Sequence, residues 1–279
     1  MDTLLKLGVD YKGIFGAAIG DYSGSTLEFN HGSKPRNKAD AVFDRPGSTF
    51  TDDTVLTAAV AFYLENRDTI SIEASLRHFG LSYPDAGYGN SFREWLSSPM
   101  MGAYGSYGNG SAMRVSPVAY FAKDENEAIS ISDRVTSCTH SHPSGMKGAK
   151  VVTLMIYRSL HGASKKELHD YAASNYDFES LDYKTMCDFM GFGEATCEIT
   201  VPQALWVFFH SDSFEDALRL GLTIGWDADT LCAIASSIAE AYYKEIPEFI
   251  LNKVKSVLPL DICSALSVVP ASKCLNIKQ

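Results

Sequence analysis

The sequence predicts an all-α fold, a helical bundle in a single domain spanning residues 1–279. Three observations predict it. Apolar residues recur at helical spacing, Ser-x-x-acid motifs mark helix starts, and no stretch alternates in the strand period over a useful length.

In chain order, the first glycine- and serine-rich stretch, residues 13–24, reads as punctuation, either a ligand-binding loop or a tight turn between helices. A long polar loop is expected over 29–50. From Asp53, the residues Val55, Ala58, Ala59 and Phe62 keep the i, i+3, i+4, i+7 spacing of one buried helical stripe. Residues 82–90 read as a second polar loop and 102–110 as a second glycine-rich one. The apolar runs 151–157 and 204–209 have the length of core segments. Ser164-Lys165-Lys166-Glu167 and Ser213-Phe214-Glu215-Asp216 have the form that caps a helix start. Pro202 suits the first turn of a helix through Leu205 and Phe208, where its missing N–H would have no partner in any case. A short glycine stretch, 221–225, precedes Asp227. From Thr230, the residues Ala233, Ile234, Ser237, Ile238 and Ala241 are small or branched, as expected where helices approach closely.

Composition narrows the function. With 24 Lys and Arg against 34 Asp and Glu, the formal charge is −10. A general nucleic-acid binder gains affinity from clustered basic residues, and here the tightest pair is Lys165–Lys166. An anionic ligand would therefore need local help, which points to bound cations. The 15 Phe, 14 Tyr and 3 Trp exclude a disordered tail protein. No apolar run approaches the roughly 18–20 residues of a membrane helix. Residues 1–11 carry Asp2, Lys6 and Asp10 and lack the apolar segment of a signal peptide. A cytoplasmic protein that uses no membrane is the expectation. The six cysteines (Cys138, Cys187, Cys197, Cys232, Cys263, Cys274) show no Cys-x-x-Cys spacing and read as idle thiols rather than disulfides or a zinc site. No basic patch or heptad indicates an obligate protein partner.

The chemistry lies in two acidic groups. Thr51-Asp52-Asp53-Thr54 precedes the Val55 stripe, and Asp227-Ala228-Asp229-Thr230 precedes the Ala233 stripe. Each sets two carboxylates and a hydroxyl within about one helical turn. Hard oxygen ligands without His or Cys suit Mg²⁺ or Mn²⁺. For either group alone helix capping is the better explanation, and it is the presence of two such groups, each with Asp and Thr in adjacent order, that points to metal. They lie far apart in the chain, so the fold must unite them. A third element is Gly20-Asp21-Tyr22-Ser23-Gly24-Ser25 followed by Glu28, and a fourth runs from Gly105 to Arg114. In the fourth, glycines leave N–H groups available to phosphate, although the Lys-Ser/Thr end of a P-loop is missing. The fifth, Thr139-His140-Ser141-His142-Pro143, reads as a structural His pair or as a ligand contact.

Taken in order, these elements resemble the ADP-ribosylglycohydrolase family. The residues that carry the resemblance are Gly20-Asp21-x-x-Gly24-Ser25 with Glu28, Phe50-Thr51-Asp52-Asp53-Thr54, Gly108-Asn109-Gly110-x-Ala112-Met113-Arg114, Thr139-His140-x-His142-Pro143 and Gly225-x-Asp227-x-Asp229-Thr230. They span most of the chain, from about Ile14 to Pro247. The resemblance implies an all-α fold with a dinuclear metal centre. It implies that Thr51, Asp52, Asp53, Asp227, Asp229 and Thr230, with Glu28 beside them, hold two Mg²⁺, or Mn²⁺ in some members. Glu28 and Asp52 would be catalytic. Asp52, Tyr104, Gly105, Ser106, Tyr107, Gly108, Asn109, Gly110 and His140 would bind substrate. The 105–110 loop looks most like the branch that cleaves O-linked ADP-ribose, including ADP-ribosyl-serine, with arginine linkage as the other branch.

The expected partner is an ADP-ribosylated protein or a small molecule containing ADP-ribose. Cleavage would pass through an oxocarbenium-like state that nearby carboxylates stabilise. Five carboxylates carry about −5 and two divalent ions about +4, which is how so many acids could stay ionised together. One departure stands out: the usual Gly-Gly-Asp is Gly225-Trp226-Asp227 here. Two other functions share these features, a catalytically inactive ADP-ribose-binding protein and a Mg²⁺-dependent phosphoester hydrolase.

Overall fold

The computed structural model describes residues 13–30, 34–188 and 195–268. Residues 1–11 and Cys274, on which two of the expectations above fall, lie outside the described residues. The helices in the first half are α1 Gly16–Gly24, α2 Asp52–Glu65, α3 Ile72–Ser82, α4 Asn90–Ser97, α5 Ser116–Phe121, α6 Glu125–Ser137 and α7 Pro143–Leu160. The second half adds α8 Lys165–Ala173, α9 Tyr183–Asp188, α10 Cys197–Phe209, α11 Phe214–Ile224, α12 Ala228–Tyr243, α13 Glu248–Val257 and α14 Leu260–Leu266. Among the described residues there is no strand, only an isolated bridge between Gly108 and Thr196. The fold is all-α.

The centre of the molecule is the antiparallel pair α1 and α12. Every residue of α1 is buried, and α12 is buried from Ala228 to Ala241. Glycines make the close approach possible. A methyl group at Gly16 or Gly24 would lie 2.6 or 2.5 Å from the carbonyl oxygens of Ser236 and Ala228, and one at Gly20 would overlap the carbonyl of Cys232. The glycine stretch expected as a loop is therefore mostly a helix. Each glycine costs about 1 kcal/mol of helix propensity, and packing against α12 overrides it because all three fall on one face, four residues apart.

Buried carboxylates then link the central helices end to end. Glu240 on α12 accepts the N–H groups of Phe15 and Gly16 at 3.0 and 2.9 Å, capping α1. Asp21 on α1 accepts the N–H groups of Thr51 and Thr54 at 2.8 and 3.1 Å, capping α2. The orphan N–H groups of a helix start are thus satisfied from the neighbouring helix rather than from the local N-cap. This fixes where α2 begins relative to α12.

Other elements follow from their sequences with two corrections. The stripe predicted for α2 is real but too narrow: Thr54, Leu56, Thr57, Val60 and Leu64 are buried as well, because the helix is covered on several sides. Pro202 lies inside α10, which begins at Cys197, so the proline sits in the second turn and not the first. The Ser164–Glu167 capping box forms, and Ser213 accepts the N–H of Asp216. The five described cysteines are free thiols. No helix among the described residues is long and apolar enough to cross a membrane.

Candidate active site

The two acidic groups meet at the N-termini of α2 and α12. Thr51 is the extended residue before α2, and Asp52 and Asp53 open that helix. Asp227 stands before α12, with Asp229 and Thr230 in its first turn. Carboxylates suit these places because helix N-termini carry partial positive charge. The Thr230 hydroxyl donates to Asp53 Oδ2 at 3.1 Å and so joins the groups. Asn109 donates through Nδ2 both to Asp227 Oδ2 and, at 2.9 Å, to Thr200 Oγ1. The Thr51 hydroxyl gives its proton to Asp21 Oδ1 at 2.7 Å, which leaves its lone pairs for another partner.

These residues fit a divalent cation. Glu28, Asp227 and Asp229 can each offer a carboxylate oxygen, all within 4.8 Å of one another. Asp53 Oδ1 is buried and accepts no hydrogen bond. A buried carboxylate oxygen left without a donor is costly unless a cation or a proton meets it. The donors are all hard oxygens, the set that Mg²⁺ and Mn²⁺ prefer.

Without a cation the acids are harder to ionise. Burial, and then repulsion from Asp227 and Asp21, pushes Glu28 up to about 7. Burial raises Asp21 to about 6 in spite of the bonds from Thr51 and Thr54. Burial, and then repulsion from Asp21, pushes Asp52 and Asp53 well above the usual carboxylate range; burial and then Asp227 do the same to Asp229, and burial raises Asp227.

Above the acids lies a cavity of about 410 Å³. Its lining joins Tyr104, Ser106, Gly108, Asn109, Gly110 and His140 to Glu28, Asp52, Asp53, Asp227, Asp229 and Thr230. Two of the expected substrate residues stand apart, since Gly105 and Tyr107 are not on the wall. Tyr107 is 58% exposed and packs edge-on against His142, 5.6 Å away. Thr51 is also absent from the lining, its hydroxyl turned to Asp21. The loop's N–H groups are less available than its glycines suggest. Ser106 donates to the Thr139 carbonyl at 3.3 Å, Gly108 to the Ser106 hydroxyl at 3.1 Å and Asn109 to the Ala195 carbonyl at 3.0 Å. The two histidines divide their roles: His142 accepts the N–H of Ser144 at the start of α7, and His140 faces the cavity.

Three residues have roles that the sequence did not assign. Asp21 caps α2 and orients Thr51. Arg114, at the back of the cavity, is fully buried. Phe29, next to Glu28, lines the rim and is 51% exposed. Its N–H donates to the Trp226 carbonyl at 2.6 Å, and the two rings meet edge to face at 5.2 Å. Both residues have left-handed backbone, with φ of 51° and 61°. Such backbone costs a non-glycine residue about 1 kcal/mol, so Trp226 replaces the expected glycine against a local preference. Its ring packs on Phe29, and Phe29, not Trp226, reaches the cavity.

The family model for ADP-ribosylglycohydrolase matches residues 11–270. The chain belongs to the ADP-ribosylglycohydrolase family. Membership makes it a hydrolase of glycosidic bonds. Among its relatives, the dinitrogen reductase ADP-ribosyl glycohydrolase of Rhodospirillum rubrum is 26% identical, over 86% of this chain and 87% of its own. ADP-ribosylarginine hydrolase Tri1 of Pseudomonas putida (strain GB-1) is 28% identical, over 82% of this chain and 69% of its own. ADP-ribosylhydrolase ARH3 of Mus musculus is 24% identical, over 71% of each chain. A solved structure described as an ADP-ribosylglycohydrolase-related protein complex superposes with a TM-score of 0.67 at 24% identity, covering 92% of this chain and 95% of that one. That likeness speaks for the fold.

Proposed function

We propose that this chain is a metal-dependent hydrolase that cleaves the glycosidic bond between ADP-ribose and a protein side chain, acting as one domain. The observation that carries the reading is the meeting in one cavity lining of five acids (Glu28, Asp52, Asp53, Asp227, Asp229) with Tyr104, Ser106, the 108–110 segment and His140. Thr51, Asp52, Asp53, Asp227, Asp229 and Thr230, with Glu28 adjoining, would hold two divalent ions, Mg²⁺ or Mn²⁺. Bound there, the ions would orient the ribose hydroxyls and a water and make that water more acidic.

The chain's own residues supply the rest. Glu28, half-buried beside Asp227 and Asp229, suits a group that gives a proton to the departing side-chain atom and takes one from water. Water adds its hydroxyl to the anomeric carbon as the glycosidic bond breaks, so the products are ADP-ribose and the unmodified side chain. The remaining carboxylates favour the positive charge that develops on the sugar. Tyr104, Ser106 and the 108–110 segment, with His140, would hold the diphosphate and distal ribose.

The linkage we favour is O-glycosidic, to serine, on the resemblance of the 105–110 loop. Arginine is the second reading, supported by the relative from Pseudomonas putida whose name specifies ADP-ribosylarginine. The test is release of ADP-ribose from one serine-modified and one arginine-modified peptide, each with Mg²⁺ and with EDTA. Metal-dependent release from one peptide is the expected result. Tight ADP-ribose binding without release would identify a binding protein, and release of inorganic phosphate a phosphoester hydrolase.

A further inference from the structure

Glu28 differs from the acids beside it in what carries it. Asp227 and Asp229 stand at the start of α12, whereas Glu28 lies on the turn that follows α1. Its placement therefore depends on what fixes that turn. On the near side, α1 ends at Gly24, where an added methyl would lie 2.5 Å from both the Ala228 carbonyl oxygen and the Asp229 nitrogen. The chain then folds back: the Leu27 N–H donates to the Gly24 carbonyl at 2.7 Å, and the Leu27 side chain is fully buried. On the far side, the Phe29 N–H donates to the Trp226 carbonyl at 2.6 Å. The residue after Glu28 is thereby joined to the residue before Asp227, and the Glu28, Asp227 and Asp229 carboxylate oxygens come within 4.8 Å of one another.

This second tie is made at a local cost. Phe29 and Trp226 both have left-handed backbone, with φ of 51° and 61°. The glycine expected at 226 would adopt that conformation freely. A side chain held there persists only where its surroundings over-determine it. What the tryptophan adds over glycine is a ring, and that ring meets Phe29 at 5.2 Å with the planes 71° apart, the edge-to-face arrangement aromatic pairs favour. Glu28 and Phe29 line the cavity and Trp226 does not. Any effect of Trp226 on the site must pass through Phe29.

We infer that Trp226 is a positioning residue whose ring clamps Phe29 to the start of α12, so that the turn bearing Glu28 stays fixed beside Asp227 and Asp229. The step from that clamp to turnover rests on the hydrolase reading proposed above. A reacting group misplaced by about 1 Å can cost on the order of 100-fold in rate. Glycine at 226 would keep the carbonyl that Phe29 bonds, remove the ring and loosen the backbone on which that bond depends.

The test uses Trp226→Gly and Trp226→Phe, the second of which returns a ring to face Phe29. Amide hydrogen exchange on the metal-free, ligand-free protein should find the Phe29 N–H slow in the wild type and in Trp226→Phe, and about tenfold or more faster in Trp226→Gly. With an ADP-ribosylated peptide and Mg²⁺, Trp226→Gly should lower kcat by about 10- to 100-fold. KM, ADP-ribose affinity by calorimetry and melting temperature should stay at wild-type values, because the residue touches no ligand. Trp226→Phe should recover kcat. Wild-type kcat or wild-type exchange at Phe29 in Trp226→Gly overturns the inference. So does a Trp226→Gly protein in which melting temperature, ADP-ribose affinity and kcat fall together, since that marks a residue needed only for folding. A wild type that releases no ADP-ribose overturns the functional reading instead, and exchange at Phe29 then decides the clamp by itself.

Discussion

Asp229 and Glu28 can each offer an oxygen to the same small volume, yet their substitutions should separate. Asp229→Ala removes a cation ligand at the start of α12, so metal and activity should disappear together. Glu28→Gln keeps the size and removes the proton carrier, so ADP-ribose affinity should hold while turnover falls. Full activity in Asp229→Ala would dismiss the metal reading. Asp21 tests a different dependence. Its carboxylate takes bonds from both backbone and hydroxyl of Thr51 and Thr54. In Asp21→Asn one acceptor oxygen becomes a donor facing other donors, so urea denaturation should show a loss of about 1–3 kcal/mol together with weakened metal binding. The meeting of the two acidic groups was half legible from the sequence, since paired Asp and Thr recur before two apolar stripes, although helix capping accounts for each group taken alone. The work of Asp21 was not legible: a cap given by one helix to another depends on which helices are neighbours. Arg114 was hidden for the same reason, as nothing in its local sequence says that it is buried without a counter-ion.

At the scale of the element, the α1–α12 contact makes a prediction with an unusual sign. Glycine to alanine inside a helix normally stabilises by about 1 kcal/mol. At Gly20 the added methyl would meet backbone of Cys232, which cannot step aside as a flexible side chain could. Gly20→Ala should therefore lower the melting temperature. Glu240 gives α1 a dependence on pH. Burial pushes its carboxyl up to about 7 from its ordinary 4.5, even with two N–H donors. Between these values the native state keeps a proton that the unfolded chain has lost, so this group's contribution is complete below about 4.5 and fades as pH rises through about 7. Glu240→Gln should flatten that part of the stability profile in melts run from pH 4 to 8. Helix starts with a local serine cap were readable at Ser164 and Ser213. The helix 16–24 was not, because three glycines and a serine in nine residues look like a loop until a second helix arrives to press against them.

For the whole molecule, protons and metal compete for one set of oxygens. In the metal-free protein, Glu28 moves from 4.5 to about 7 and Asp21 from 3.8 to about 6, so each withdraws stability as pH rises through that window. A divalent ion replaces those protons, and at a hundredfold excess over its Kd it adds about 2.7 kcal/mol. The gap between melting curves with Mg²⁺ and with EDTA should therefore widen from pH 5 to pH 8, and a constant gap would argue against cation binding at these acids. The all-α class was legible in the sequence from periodicity and caps alone, and five ordered motifs marked the family. What no motif could show was which loop residues face the cavity, as Tyr107 and Gly105 demonstrate by standing off it. The same architecture governs how the chain is made. Phe15, at the head of α1, is capped by Glu240, 225 residues later. At 5–20 residues per second, a ribosome takes roughly 10 to 45 s to cover that distance. Through that interval the most deeply buried helix exists without the surface that buries it. Its glycine face is open, and its terminal N–H groups have only water to bond. Folding thus closes from the C-terminal side, and a chain released before α12 is expected to aggregate, not merely to lack activity.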